Sequence, residues 1–158
     1  MIEIGRVVAL DVGSRRIGVA ACDPHGIVVR PVGVVSAKAQ AQALAQIERI
    51  VHDEEARLVV VGLPLTLRGE QGPQAQRVLA FATELEKRLA VPLVFVDERY
   101  TSVEAERIIK EHGTKRQKRR RESVDEVAAM LILEDFLQEQ RREQAANTQS
   151  AAVEHDEE

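Results

Sequence analysis

Apolar residues follow two rhythms along this chain. Short, nearly unbroken apolar runs alternate with stretches in which apolar positions recur every three or four residues. Val7 to Val12 is such a run, closed by Gly13, and predicts a strand buried on both faces. Ile17 to Cys22 and Ile27 to Val35 read as two further strands. The Asp23-Pro24-His25-Gly26 turn between them predicts a hairpin. From Ala37 to about Glu55 the pattern turns helical, with Ala41, Leu44, Ile47, Ile50 and Val51 on one stripe. Leu58 to Gly62 is another buried strand, followed by the Gly- and Pro-punctuated loop Leu63 to Pro73. A helix is predicted from about Gln74 to Leu89, and a short strand, Leu93 to Val96, follows Pro92. Thr101-Ser102-Val103-Glu104 and Ser123-Val124-Asp125-Glu126 are capping boxes. The first opens a helix ending near Gly113, the second a helix reaching about Arg142.

The order β-β-β-α-β-α-β-α-α predicts an α/β fold, with one mixed five-stranded sheet and helices packed on it. A chain of 158 residues suits a single domain of that kind. The domain is expected to span residues 1–142. Residues 143–158 are rich in Ala, Gln and acids without an apolar stripe, and are expected to be a disordered tail.

Composition excludes some classes. With 44% apolar and 30% charged residues, no run approaches the ~20 apolar residues that span a bilayer. The N-terminus carries no basic segment followed by an apolar one, and Cys22 is the lone cysteine. No internal disulfide or cysteine-rich zinc site is possible, and a cytoplasmic location is expected. The net charge of −4 hides an uneven distribution. Five acids (Glu143, Glu154, Asp156, Glu157, Glu158) sit in the tail, and the rest of the chain is close to neutral. Lys115, Arg116, Lys118, Arg119, Arg120 and Arg121 fill six of seven consecutive positions. Such a cluster reads either as a solvated charge run or as a binder of phosphate backbones. Its passage into the helix of Asp125 favours the second.

Three acids lie where burial is expected. Asp11 interrupts an apolar strand and shares a face with Val7 and Ala9. Glu98 follows a strand and shares a face with Val94 and Val96. Asp125, in the first turn of the last helix, lies on the stripe of Ala128, Ala129, Ile132 and Phe136. Singly, each has an ordinary role: capping a turn, pairing with a basic neighbour, or complementing the helix dipole. Together they can converge on one site. Converging carboxylates repel, and their oxygen-only chemistry suits Mg²⁺ or Mn²⁺. Two such ions about 3.5–4 Å apart could hydrolyse a phosphodiester. Around them, Gly13 and Ser14 could approach a phosphate or simply make a tight turn. Arg15, Arg16 and Arg99 could hold phosphates, and Tyr100 could stack on a base. His25, His52, His112 and His155 have no ligand spacing.

Asp11-Val12-Gly13 followed by Arg16-Ile17-Gly18-Val19-Ala20 resembles the opening hairpin of the YqgF/RuvX family. Gly62-Leu63-Pro64-Leu65, Asp97-Glu98-Arg99-Tyr100-Thr101-Ser102 and Asp125-Glu126-Val127-Ala128-Ala129 resemble its later motifs, in the same order. The similarity covers roughly residues 5–138. It implies a ribonuclease-H-like fold and a divalent-metal endonuclease site with Asp11, Glu98 and Asp125 as catalytic metal ligands. Two roles attach to such proteins: 5′-end maturation of the 16S rRNA precursor, and resolution of four-way (Holliday) DNA junctions. The expected partner is thus structured RNA or branched DNA, and junction cutting would call for a homodimer. Two rivals remain. One is a binding module that holds RNA or junctions without cutting. The other is an actin-like nucleotide-binding protein, suggested by Asp11-Val12-Gly13-Ser14, although 158 residues leave no room for the second domain such proteins need.

Overall fold

The computed structural model describes residues 4–98 and 121–156. The apolar run Val7–Val12 forms β1, and Arg16–Cys22 forms β2, antiparallel to it. Asp23 closes the next turn, its carboxylate accepting the backbone N–H groups of His25 (3.2 Å), Ile27 (2.7 Å) and Val28 (2.7 Å). These donors, Val28 first, hold its carboxyl below the usual range. The chain returns as β3, Val29–Ser36, and the predicted hairpin is formed. Helix α1, Gln40–Asp53, buries Ala43, Leu44, Ile47 and Val51. Strand β4, Leu58–Leu63, runs parallel to β1. Helix α2, Pro73–Arg88, starts with proline in its first turn, where the missing N–H is harmless. Strand β5, Leu93–Asp97, runs parallel to β4, and α3 covers Arg121–Asp156.

The sheet has the order β3-β2-β1-β4-β5 and is mixed, as expected. Its central strand is buried on both sides because helices cover both faces. Val8, Leu10 and Val12 face α1 and α2, in a cluster with Val59, Val61, Ile47 and Leu85. Val7 and Ala9 face α3, in a second cluster with Val60, Ile132, Leu133 and Leu137. The α3 contact is close because the helix presents Ala128 and Ala129, both fully buried.

Two expectations about the last helix need correction. Ser123 does not open it, because α3 already includes Arg121 and places Asp125 a turn further in. Nor does it stop at about Arg142, since α3 runs on to Asp156. Between Arg121 and Asp156 there is neither glycine nor proline, and the segment is rich in the strong helix formers Ala, Glu and Gln. The helix therefore continues as a 36-residue rod, roughly 54 Å long. Its apolar contacts with the sheet end near Leu137. The helix expected between Thr101 and Gly113 lies outside the described residues.

Gly18 fixes how α3 sits. A Cβ at this position would come within 2.1 Å of the Asp125 carbonyl oxygen, so helix backbone rests directly on β2. The obstacle is main chain and cannot rotate aside. Gly18→Ala is expected to cost about 2–3 kcal/mol, lowering the melting temperature by roughly 4–10 °C. Differential scanning calorimetry checks this.

Candidate active site

Alternation in β1 puts Asp11 on the α3 face, directly after Val7 and Ala9. It lies between two glycines. Gly18 is its partner across the antiparallel ladder. Gly62 follows Val61, the partner of Leu10, on the parallel side. Gly62 itself pairs with Val96 of β5. Two residues later Glu98 returns to the same face, and its N–H donates to the Leu63 carbonyl at 3.1 Å. Strand pairing thus holds Asp11 and Glu98 at the same end of the sheet, on one face. The space for the Glu98 carboxyl comes from Gly62, where a Cβ would stand 2.6 Å from Glu98 Oε2 and 2.5 Å from Ile132 Cδ1.

The two carboxyls share a hydrogen bond. Glu98 is only 9% exposed, and among the described residues its buried Oε2 has no hydrogen-bond partner. Burial pushes its pKa up to about 9, aided by the charge of Asp11 and by the hydrogen bond to it. Burial also raises Asp11, against the hydrogen bond from Glu98, which lowers it; the charge of Asp125 raises it further. With its pKa near 9, Glu98 keeps its proton at neutral pH and donates it to Asp11. An unpartnered buried carboxyl oxygen beside a second carboxylate fits a hard divalent cation in place of that proton.

Asp125 is close but engaged elsewhere. Its Oδ2 accepts a hydrogen bond from Arg16 Nε at 2.8 Å, in an ion pair whose side chains are 22% and 31% exposed. Among the described residues, no three His, Cys, Asp or Glu side chains stand close enough to enclose a metal ion. The structure thus joins Asp11 to Glu98 and leaves Asp125 with Arg16.

Gly13 serves a tight turn. Its N–H donates to the Arg16 carbonyl at 2.9 Å, and a Cβ there would meet that oxygen at 2.7 Å. Ser14 and Arg15 are exposed on this turn. Arg121 begins α3. Arg99, Tyr100, Lys115, Arg116, Lys118, Arg119 and Arg120 lie outside the described residues. Reasoning from sequence overlooked the roles of Gly18 and Gly62. The available signal was glycine inside an apolar strand, which marks a close approach.

The raised pKa of Glu98 has a stability consequence in metal-free protein. The folded state keeps a proton that the unfolded chain releases near 4.5, so stability falls as pH rises from there to about 9. The slope from this group is at most about 1.4 kcal/mol per pH unit. Glu98→Gln is expected to flatten it, as measured by urea denaturation in EDTA across that range.

Comparison with known proteins agrees with this architecture. The RuvX family, described as Holliday junction resolvase, matches residues 5–139. A relative from Roseiflexus sp. (strain RS-1) is 47% identical over 139 residues, covering 88% of this chain and 98% of its own. One from Chloroflexus aurantiacus (strain ATCC 29366 / DSM 635 / J-10-fl) is 45% identical over 135 residues, covering 85% and 88%. Both are provisionally named pre-16S rRNA nuclease. Among solved structures, T. thermophilus RuvC in complex with a Holliday junction substrate superimposes with a TM-score of 0.52 at 17% identity, covering 81% of this chain and 91% of RuvC. Fowlpox virus resolvase with substrate Holliday junction DNA gives 0.53 at 8% identity, covering 85% and 97%. At such identities the likeness establishes a shared ribonuclease-H/RuvC-like fold and nothing more. The family match along residues 5–139, together with relatives of this identity over most of their length, shows that this chain belongs to the RuvX family.

Proposed function

We propose that this protein is a divalent-metal-dependent endonuclease that trims the 5′ end of the 16S rRNA precursor. The observation that carries the nuclease reading is the contact of half-buried Asp11 with buried Glu98, whose Oε2 has no hydrogen-bond partner among the described residues. A protein that only bound nucleic acid would have no use for two carboxyl groups in contact at the end of its sheet. The choice of RNA rests on the relatives at 47% and 45% identity, which carry that provisional name. Junction cleavage is the second reading, favoured by the family description.

Asp11 and Glu98 would hold Mg²⁺ or Mn²⁺, with Asp125 completing the set. Bound there, the ion or ion pair would supply Lewis acidity to activate water and offset charge on the phosphodiester. Glu98 gives up its proton on binding, so cation affinity rises with pH toward about 9. Arg15, exposed on the turn after β1, can hold a flanking phosphate without reading sequence. Pairing within the sheet keeps Asp11 and Glu98 from separating as the cation enters.

A paired assay tests this reading. Labelled rRNA-precursor mimic and four-way DNA junction are incubated with Mg²⁺ or Mn²⁺, with EDTA and Asp11→Asn as controls. The expected result is cutting of the RNA alone, abolished by EDTA. Asp11→Asn should lose more than the roughly 10–100-fold typical of an outer supporting residue. Symmetric nicking of the junction alone would replace RNA maturation with junction resolution. Full activity in EDTA or in Asp11→Asn would overturn the metal mechanism.

A further inference from the structure

We infer that Arg16 is a positioning residue: it withholds Asp125 from the Asp11–Glu98 pair until a phosphate of the nucleic acid takes its guanidinium. The inference rests on the metal-nuclease reading above and adds an order of events to it.

Three observations carry it. First, Asp125 Oδ2 is held by Arg16 Nε at 2.8 Å, and among the described residues the three acids do not gather into one cation-sized group. Second, the helix backbone at Asp125 cannot be the part that moves, because its carbonyl lies against Gly18 of β2. Changing partner therefore needs only rotation of the Asp125 side chain. Third, the Arg16 side chain is 31% exposed and sits on the first residue of β2, next to the exposed turn of Ser14 and Arg15. A nucleic-acid backbone crossing that turn would meet it.

The chemistry favours an exchange. Arginine presents a planar fork of donors that matches phosphate as well as carboxylate. Among the described residues only its Nε is hydrogen-bonded, and a partly exposed ion pair is weak enough to give way. When phosphate takes the fork, a positive charge stops competing for Asp125, and the third carboxylate can turn toward the cation. Substrate and cation then assist each other's binding, and by linkage the assistance is reciprocal.

The test is calorimetric titration of Mn²⁺ into full-length wild type, Arg16→Gln, Asp125→Asn and the double variant, without nucleic acid. Removing Arg16 is expected to tighten Mn²⁺ binding about 5–10-fold, while nuclease activity falls because a phosphate contact is lost. A merely structural ion pair would not produce this opposed change. In the Asp125→Asn background the gain should vanish. A non-cleavable phosphorothioate RNA should tighten Mn²⁺ binding in wild type but not in Arg16→Gln. Arg16→Lys keeps the charge without the fork. It should shift affinity the same way by less, and serves should Arg16→Gln fail to fold. Equal Mn²⁺ affinity in wild type and both Arg16 variants would overturn the inference and leave the metal reading standing. A gain that persists without Asp125 would also overturn it, since Arg16 would then act by charge alone. Absence of Mn²⁺ binding in every variant would remove both.

Discussion

Two carboxyl groups in contact inside an apolar sheet are the constraint around which this structure is arranged. Burying one carboxylate is unfavourable, and burying a second beside it adds repulsion. The metal-free protein meets this with the proton that Glu98 keeps and shares with Asp11. Among the described residues Glu98 Oε2 is left with no hydrogen-bond partner. A fold selected for stability alone would place an apolar residue at either position. Both acids instead stand at one end of the sheet, on β1 and just after β5 with β4 between them, where an opposing cation would gain from the low dielectric around it.

Much of the surrounding sequence follows from making room for that pair. Gly62 is glycine because the Glu98 carboxyl and Ile132 occupy the volume its Cβ would fill. Gly18 is glycine because α3 crosses β2 with main chain against main chain. Ala128 and Ala129 continue the close approach one turn later. Small residues on both the strands and the helix therefore draw α3 onto the sheet near the end of β1. The larger Ile132, Leu133 and Leu137 then fill the space toward the other end. Packing of α3 and placement of the third acid are one problem with one solution.

The parts of this arrangement that depend on a fixed period were legible in the sequence. Period-two alternation put Asp11 with Ala9 and Glu98 with Val96 on one face, and helical spacing put Asp125 with Ala128, Ala129 and Ile132. Strand order followed from short connections and buried apolar runs. Events that depend on contact between distant segments were not legible. Arg16 and Asp125 are 109 positions apart, and nothing local in either announces the other. Gly18 and Gly62 could have marked a close approach to β2 and β4, but not what approaches. The ends of α3 were misplaced because a capping-box pattern outweighed the absence of any helix breaker on either side of it. Helix propensity of the segment after Arg142, rather than its lack of an apolar stripe, decides its course.

The frame and the chemistry hung on it are separable. At TM-scores of 0.52 and 0.53, resolvases with 17% and 8% identity share this sheet and helix order. A scaffold that tolerates so much sequence change cannot itself specify RNA or branched DNA. What the scaffold does specify is a division of labour. Asp11 and Glu98 are fixed by strand pairing, and neither can be displaced without disturbing the ladder between β1, β4 and β5. Asp125 and Arg16 are attached by rotatable side chains, each able to exchange one partner for another. A site built half from fixed and half from exchangeable groups can keep one hydrolytic chemistry while its response to the incoming backbone is retuned. Retuning then requires changes only at exposed Arg15 and half-buried Arg16. Substitution at those positions leaves the buried pair and its glycines untouched, which is why divergence in substrate need leave no trace in the fold.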